Sequence, residues 1–140
     1  MKLGAQDTVL MFLNGTAMRG FRDHQYLLDS VFIGERKTAP CYRFYAIRDE
    51  FPGLVEVGDE GSSISGELYE MKLSTWRNSL LPAEPAELVP GEVLLADGTR
   101  SNVMILDFDR VKNNDKIVEI TQYGGWRAYL AKLESQGGQA

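Results

Sequence analysis

The strongest constraint on the fold is a continuous apolar segment, residues 9–13, that ends at the small polar residues Asn14, Gly15 and Thr16. Five consecutive apolar residues bounded by turn-forming residues are typical of a β-strand that is buried on both faces. The turn, which leads into Ala17, has two interpretations. It either separates two elements of structure, or its backbone N–H groups converge to bind an anion.

The composition indicates one globular domain. The chain has 140 residues, of which 44% are apolar and 25% are charged, and a chain of this length can bury a substantial core. We expect a single domain over residues 1–134 and a flexible tail over residues 135–140, where only small and polar residues occur. The formal net charge of −5 argues against a nucleic-acid partner, because phosphate binding depends on clustered Lys and Arg.

Several kinds of site are not expected from the residues present. The single cysteine, Cys41, cannot form an internal disulfide and is interpreted as a small buried side chain. No metal is expected, because the chain has one His and one Cys, and Asp107 and Asp109 are typical of a solvated strand edge. No cofactor is expected, because the sequence has no glycine-rich nucleotide motif. No segment resembles a signal peptide or a membrane span, so we expect a cytoplasmic protein without a membrane partner.

Alternation and turn residues predict the other strands of an α+β domain. One strand is predicted in PCYRFYAIRDE, with a break at Phe51-Pro52-Gly53. Another is predicted in ISGELYEMKL, where Gly66 marks a bulge or the close approach of another group. Two apolar segments around Asp97-Gly98 predict a hairpin.

Side-chain spacing predicts three helices. The first covers residues 21–29 and presents Phe21, Gln25 and Leu28 on one face. The second begins at Ser74 as its N-cap and ends at Pro82. The third follows Gly124-Gly125, and its apolar face is formed by Trp126, Tyr129, Leu130 and Leu133.

The acid with the most informative surroundings is Glu84, in the segment LLPAEPAEL. A carboxyl group among apolar and proline residues is partly desolvated, which raises its pKa toward the working range of a general acid/base. The alternative is a carboxylate on an exposed loop kinked by the prolines. The pattern leaves both interpretations open.

Two further residues carry candidate chemistry. In ITQYGGWRAY, Arg127 suits a bidentate contact with a carboxylate, and Tyr123 suits a pocket wall. The alternative is a helix start that packs its aromatic side chains into the core. His24 is either a solvated surface residue or a proton shuttle, and no Gly-x-Ser-x-Gly motif presents a serine to it.

These segments, in this order, resemble the carboxy-terminal domain of allophanate hydrolases, which belongs to the gamma-glutamylcyclotransferase-like fold. The resemblance extends from Phe12 to Tyr129 and is carried by FLNGTAMRG, KTAPCYRFYAIRDEFPG, ISGELYE, LLPAEPAEL and ITQYGGWRAY. It implies a small mixed β-barrel with flanking helices. It also implies that the turn at Asn14 matches the substrate-binding loop of the cyclotransferases and that Glu84 matches their catalytic glutamate.

The resemblance implies an enzyme that acts on a small carboxylate or carbamate. Two reactions are implied: decarboxylation of N-carboxycarbamate, proposed for the allophanate hydrolase domain, and gamma-glutamyl-type amine chemistry. Asn14 and Pro85 depart from the Tyr and Gly of the cyclotransferase motifs, so the first reaction is the closer match. On this interpretation the turn 14–17 holds the anion, Glu84 moves a proton, and Tyr69, Tyr123 and Arg127 shape the pocket.

A second interpretation is a non-catalytic ligand-binding or assembly module. Such a module would work with a separate amidase in urea or amide nitrogen metabolism, since the sequence has no amidase signature. The candidate partners are therefore a small carboxylate or carbamate, a separate amidase, and a second copy of the chain in a homodimer.

Overall fold

A computed structural model describes residues 7–137 and confirms the α+β class, with eight strands in that part of the chain. The strands are β1 (Thr8–Leu13), β2 (Val31–Lys37), β3 (Tyr42–Ile47), β4 (Phe51–Glu56), β5 (Ser65–Lys72), β6 (Leu88–Leu94), β7 (Arg100–Leu106) and β8 (Ile117–Glu119). The α-helical segments are α1 (Leu73–Thr75), α2 (Leu81–Ala83) and α3 (Trp126–Gly137), with a π-helical turn, Trp76–Leu80, between the first two. Short 3-10 helices cover Arg22–Leu27, Gly58–Glu60, Phe108–Arg110 and Thr121–Tyr123.

The strands form a five-stranded sheet, in the order β2-β5-β1-β7-β6, and a three-stranded sheet, in the order β4-β3-β8. Strand β1 lies at the centre of the larger sheet, antiparallel to β5 and parallel to β7, with Met11 opposite both Tyr69 and Asn102. Both sheets are open in the described part of the chain, so the predicted closure into a barrel is not confirmed.

The core lies between the two sheets and is closed on one side by α3. The carboxy-terminal half of β1 is buried, with Met11 at 0% and Phe12 at 1% exposure, as the apolar segment 9–13 predicts. Strand β3 alternates as expected, with Tyr42 and Phe44 facing the core. Each such side chain contributes about 1.5–3 kcal/mol through burial, so β1 is anchored firmly where it delivers the chain to the turn 14–17.

The predicted hairpin is confirmed, and a second one was missed. Strands β6 and β7 pair around Asp97-Gly98, and Gly98 has the positive φ (90°) that such a turn requires. The break predicted at Phe51 is wrong, because β4 begins there and pairs with β3. The actual turn is at Arg48 and Asp49, which adopt φ values of 53° and 56°, and Pro52 is tolerated because β4 is an edge strand.

The helix predicted over residues 21–29 is wrong in type and extent. The segment forms the 3-10 helix Arg22–Leu27, and Leu28 is 79% exposed instead of packing on the core. The next residues form β2, an edge strand that the sequence did not predict. Its side chains at 31–33 are exposed, so the alternation that identifies a half-buried strand is missing.

The second helix also differs from its prediction at both ends. Ser74 is not the N-cap, since α1 begins at Leu73 and the capping position belongs to Lys72. Pro82 does not end the helix, because it lies within α2. The π-helical turn before it explains this tolerance: Leu81 donates to the carbonyl of Trp76, and the widened turn accommodates a residue that lacks an N–H.

The third helix is confirmed. Trp126 and Tyr129 are 2% and 4% exposed, and the Tyr129 hydroxyl donates to Asp49 Oδ1 at 2.6 Å, which fixes α3 to the β3–β4 turn. The helix continues to Gly137 and so includes the first three residues of the predicted tail; residues 138–140 lie outside the described part. Among the described residues, no helix has the length and apolar character needed to cross a membrane.

The surroundings of Gly66 show that β5 packs closely against β1. A Cβ at this position would lie 2.5 Å from the carbonyl oxygen of Leu13 and 2.5 Å from Phe12 Cζ, which confirms the predicted close approach. We expect Gly66→Ala to lower the free energy of unfolding by about 1–3 kcal/mol, because backbone and core side chain must both move. Urea denaturation measures this effect. Ser65→Ala, at the exposed neighbouring position, should change it by less than about 0.5 kcal/mol, and equal stability of the two variants would contradict the steric argument.

Candidate functional site

The turn that follows β1 is held in place by hydrogen bonds to the 3-10 helix after it. Asp23 receives a hydrogen bond from the Thr16 hydroxyl at 2.7 Å and donates its own backbone N–H to the Thr16 carbonyl at 2.9 Å. Gly15 packs directly on Pro52, where a Cβ would lie 2.7 Å from the proline Cδ. The turn therefore needs glycine at this position, and its backbone is fixed on both sides.

Glu84 and this turn line the same small cavity. The cavity is lined by Asn14, Gly15, Thr16 and Ala17 together with Glu84, and its remaining walls are apolar: Phe12, Leu13, Phe51, Pro52, Pro85, Leu88 and Met104. Its volume is about 20 Å³, which is room for a single water molecule. The carboxyl of Glu84 and the turn that sequence reasoning singled out are thus adjacent.

The surroundings of Glu84 change its acidity. Burial raises the pKa of its carboxyl to about 7, and the negative charge of Asp23 adds to the shift. A carboxyl with this pKa holds a proton on about half of the molecules at neutral pH, so it can both donate and accept one.

Asn14 adds a polar group without a partner to the same cavity. Its side-chain nitrogen Nδ2 is buried and has no hydrogen-bond acceptor among the described residues. An unsatisfied buried donor costs about 1–3 kcal/mol. Asn14 lines the small cavity, and an acceptor oxygen within hydrogen-bond distance of Nδ2 would remove that cost.

A second group of residues surrounds Glu67, which is 2% exposed. Its carboxylate accepts hydrogen bonds from the backbone N–H (3.0 Å) and Nε (3.1 Å) of Arg19, from the Tyr69 hydroxyl (2.8 Å) and from Arg127 Nη2 (3.1 Å). Burial alone raises the pKa of Glu67, but these hydrogen bonds outweigh it and hold the pKa below its usual range. Tyr69, predicted to shape the pocket, instead donates to Glu67, and its own pKa is raised.

The remaining predicted residues lie along a different, larger cavity of about 650 Å³. We call it the large cavity; Tyr123 and Arg127 line it, as does Glu67. Its lining shares no residue with that of the small cavity. The structure thus brings Glu84 and the turn 14–17 together, and it places Tyr123 and Arg127 elsewhere.

His24 is hydrogen-bonded to the backbone, and Cys41 is a half-buried thiol. His24 is partly buried, and its Nδ1 lies 3.0 Å from the carbonyl oxygen of Ala17, so that nitrogen carries the proton. Burial raises the pKa of the half-buried Cys41 thiol, which keeps it protonated. In residues 7–137, no three His, Cys, Asp or Glu side chains are grouped so as to hold a metal ion.

Sequence reasoning missed two acids that organise these sites, Asp23 and Glu67. Asp23 follows Thr16 by seven residues, and two polar residues at that spacing form no pattern that would predict their contact. Glu67 lies at a strand position between apolar residues, in GELY. The sequence does contain one signal for Glu67: a charged residue within an apolar strand segment. Such a residue needs hydrogen-bond or ion-pair partners when it is buried.

Comparison with known proteins identifies the family. Residues 9–131 match the family described as the allophanate hydrolase C-terminal domain, and the chain belongs to it. The urea amidolyase of Lachancea kluyveri is 27% identical over 142 residues, which cover 96% of this chain and 8% of that protein. A putative gamma-glutamylcyclotransferase of Vibrio cholerae is 40% identical over 60 residues, covering 43% of this chain and 49% of that protein.

Solved structures agree with this assignment. Kluyveromyces lactis allophanate hydrolase superposes with a TM-score of 0.81 at 25% identity, over 91% of this chain and 22% of that one. A uropathogenic E. coli-specific protein, c4763, superposes with a TM-score of 0.79 at 31% identity, over 89% of this chain and 96% of that one. A mouse AIG2-like protein superposes with a TM-score of 0.56 at 19% identity, over 71% of this chain and 77% of that one. At this identity the likeness shows only the gamma-glutamylcyclotransferase-like fold.

The raised pKa of Glu84 predicts a pH-dependent stability that needs no substrate to measure. Because the folded state holds the proton more tightly than the unfolded state, stability falls as pH rises from about 4.5 to about 7 and is level above that. Glu84→Gln cannot lose a proton. We therefore expect it to gain about 2–3 kcal/mol relative to the unaltered chain between pH 4.5 and pH 8.

Urea denaturation of both proteins across this pH range measures the difference. Glu134→Gln, on the exposed surface of α3, is the matched control and should follow the unaltered chain at every pH. A stability difference for Glu84→Gln that is constant with pH would show that the carboxyl is solvated.

Proposed function

We propose that this chain is an enzyme acting on a small carboxylate or carbamate, with Glu84 as general acid/base and the turn 14–17 as the anion-binding element. The observation that carries the proposal is the common cavity, in which the Glu84 carboxyl, the turn and the unpaired Asn14 amide meet. Membership of the allophanate hydrolase C-terminal domain family supports a small nitrogen-containing substrate.

Decarboxylation of N-carboxycarbamate is the reaction we favour. The bond between nitrogen and one carboxylate carbon breaks, CO₂ leaves, and the electron pair remains on nitrogen. Protonated Glu84 gives its proton to that nitrogen, which yields carbamate, and solvent returns a proton to Glu84. The Asn14 amide and the backbone N–H groups of the turn would hold the carboxylate that is retained.

Gamma-glutamyl-type amine chemistry would use the same residues differently. The substrate's α-amine would attack its γ-carbonyl, Glu84 would accept the amine proton, and the same proton would then pass to the departing amine. The products are a cyclic lactam acid and a free amine. Pro85 and Asn14 stand where the cyclotransferase motifs have Gly and Tyr, so we rank this reaction second.

Substrate entry requires the small cavity to widen, because a volume of about 20 Å³ holds one water molecule and not a dicarboxylate. The widening would come from the segment that carries Glu84 and Pro85. Glu84 is extended, and the residues after it join α2 to β6 through a turn in which the Leu88 N–H donates to the Pro85 carbonyl at 3.1 Å. The turn 14–17 is less free to move, since Asp23 and Pro52 hold it on both sides.

The proposed role of Glu84 is tested by turnover in two parallel assays. In one, a purified amidase that converts allophanate supplies N-carboxycarbamate, and the chain should accelerate CO₂ release. In the other, a γ-glutamyl amine is supplied and lactam formation is followed. We expect Glu84→Gln to lose at least a hundredfold in rate, since general acid/base groups contribute about 10²–10⁴.

Two comparisons make this result specific. Glu134→Gln should keep the full rate, and Asn14→Ala should raise KM more than it lowers kcat if the amide holds substrate. Full turnover by Glu84→Gln on a substrate that the chain converts would overturn the catalytic role. Absence of turnover on both substrates would overturn the proposed reactions.

The second candidate is an assembly module that works with a separate amidase. It is favoured by a group of exposed apolar side chains beside and within the edge strand β2, at Leu28, Val31, Phe32 and Ile33. In urea amidolyase and allophanate hydrolase the matching region is a small part of a larger protein. A separate amidase, or a second copy of this chain, would cover these side chains.

Light scattering after size exclusion, with and without a purified allophanate-converting amidase, tests this candidate. We expect a mass increase that Ile33→Glu abolishes and that the exposed control Glu134→Gln retains. A monomer in both experiments would exclude the module and the homodimer alike, and it would leave the catalytic proposal intact.

A further inference from the structure

We propose that the large cavity is a second binding site, separate from the one at Glu84, and that it takes an organic anion with an apolar body. Its volume of about 650 Å³ lies in the range of small-molecule sites. No residue of the Glu84 site lines it, so this proposal does not depend on the proposed reaction.

The walls of the large cavity come from separate parts of the chain. The end of β2 contributes residues 35–37, the start of β5 contributes residues 65–67, the β6–β7 turn contributes residues 95–97, and the start of α3 closes the cavity. Accessible apolar surface is supplied by the half-buried Tyr123 and by the exposed Ala96 and Ala128. Behind them lie the buried side chains of Met18, Leu95 and Trp126. These side chains belong to the core, so this part of the wall is rigid and suits an aromatic ring or an acyl chain.

The residues that line the cavity include three acids, Glu35, Glu67 and Asp97, and three bases, Arg36, Lys37 and Arg127. The acids Glu35 and Glu67 both pair with Arg19, and Glu67 pairs with Arg127 as well. In contrast, Arg36 and Lys37 form no ion pair with any residue in the described part of the chain.

The other polar contacts near these cations are backbone contacts. Arg36 Nη1 donates to the carbonyl of Glu35 at 2.9 Å, and the carboxylate of Asp97 accepts the Thr99 N–H at 2.9 Å. Arg36 is close enough to lower the pKa of Asp97, but no hydrogen bond joins the two. Because Arg36 and Lys37 are consecutive in β2, their side chains project to opposite faces of the strand. An incoming anion would therefore meet one of these cations, and neither is held in an ion pair with a carboxylate of the described residues.

The start of α3 adds donors to the cationic wall. The first N–H inside the helix that finds a backbone acceptor belongs to Tyr129, which donates to Gly125 at 3.2 Å. The N–H groups of the preceding helical turn have no such acceptor, and residues 125–128 line the cavity. The partial positive charge of the helix start adds to that of Arg36 or Lys37.

The combination defines the ligand class. A cation without an ion pair, together with the N–H donors at the start of α3, recognises a carboxylate, and the apolar wall that includes Tyr123 recognises a ring or chain attached to it. A very small anion such as bicarbonate would leave the apolar wall uncovered, and a neutral compound would leave the cation without a partner. An aromatic carboxylate fills both requirements, and 2-naphthoate is a suitable probe.

The test is a titration of the ¹⁵N-labelled chain with 2-naphthoate, followed by the backbone amide resonances. We expect the amides of residues 125–128 to shift with a common Kd. The double variant Arg36→Gln/Lys37→Gln should weaken binding about tenfold or more. Lys112→Gln, an exposed cation that does not line the cavity, should leave it unchanged.

Two further controls isolate the anion and the site. The neutral isostere 2-naphthalenemethanol should bind at least tenfold more weakly, and Glu84→Gln should bind 2-naphthoate as the unaltered chain does. The proposal is overturned if residues 125–128 do not respond, if acid and alcohol bind equally, or if shifts are confined to the exposed apolar residues 31–33. The amide spectrum of each variant reports whether it is folded.

Discussion

A single buried carboxylate, Glu67, holds together three segments that are distant in sequence. It binds the backbone and side chain of Arg19, the hydroxyl of Tyr69 within its own strand, and the guanidinium of Arg127 at the start of α3. Arg127 also donates to the carbonyl of Arg19, which closes the network. Only Glu67 is buried, whereas Arg19 and Arg127 are about half exposed. Removing one of these partners would leave a buried carboxylate with fewer donors, which is unfavourable.

The position of Glu67 also explains the geometry of both cavities. It pairs with Leu13, the last residue of β1, immediately before the turn that lines the small cavity. On its other side it lines the large cavity. The network therefore connects a residue that lines the large cavity to the strand pairing that precedes the turn of the small cavity.

Much of the fold could be predicted from the sequence where a buried face imposes a period. Strand β3 and the helix at Trp126 carry that signal, whereas β1 is marked by a continuous apolar segment and the hairpin by its turn residues at Asp97-Gly98. Strand β2 does not carry such a signal, because it is an exposed edge strand and the register of its pairing with β5 shifts between Phe32 and Gly34. Strand β4 was hidden by Pro52, which an edge position tolerates.

The candidate site was predictable in part. The turn 14–17 and Glu84 were singled out by composition, turn chemistry and resemblance, and the structure places them on one cavity. The partners of Tyr69 and Arg127 could not be foreseen. Arg127 meets a carboxylate 60 residues away, and only the folded topology brings them together.

The π-helical turn Trp76–Leu80 determines the direction in which the following chain leaves the helix. An α-helix advances by about 100° per residue, so one extra residue within a turn rotates everything after it by that angle. Glu84 comes four residues after this turn. The direction in which its side chain leaves the chain is therefore set by a local expansion of the helix, and deleting one residue from this turn would rotate the segment that carries Glu84 by about 100°.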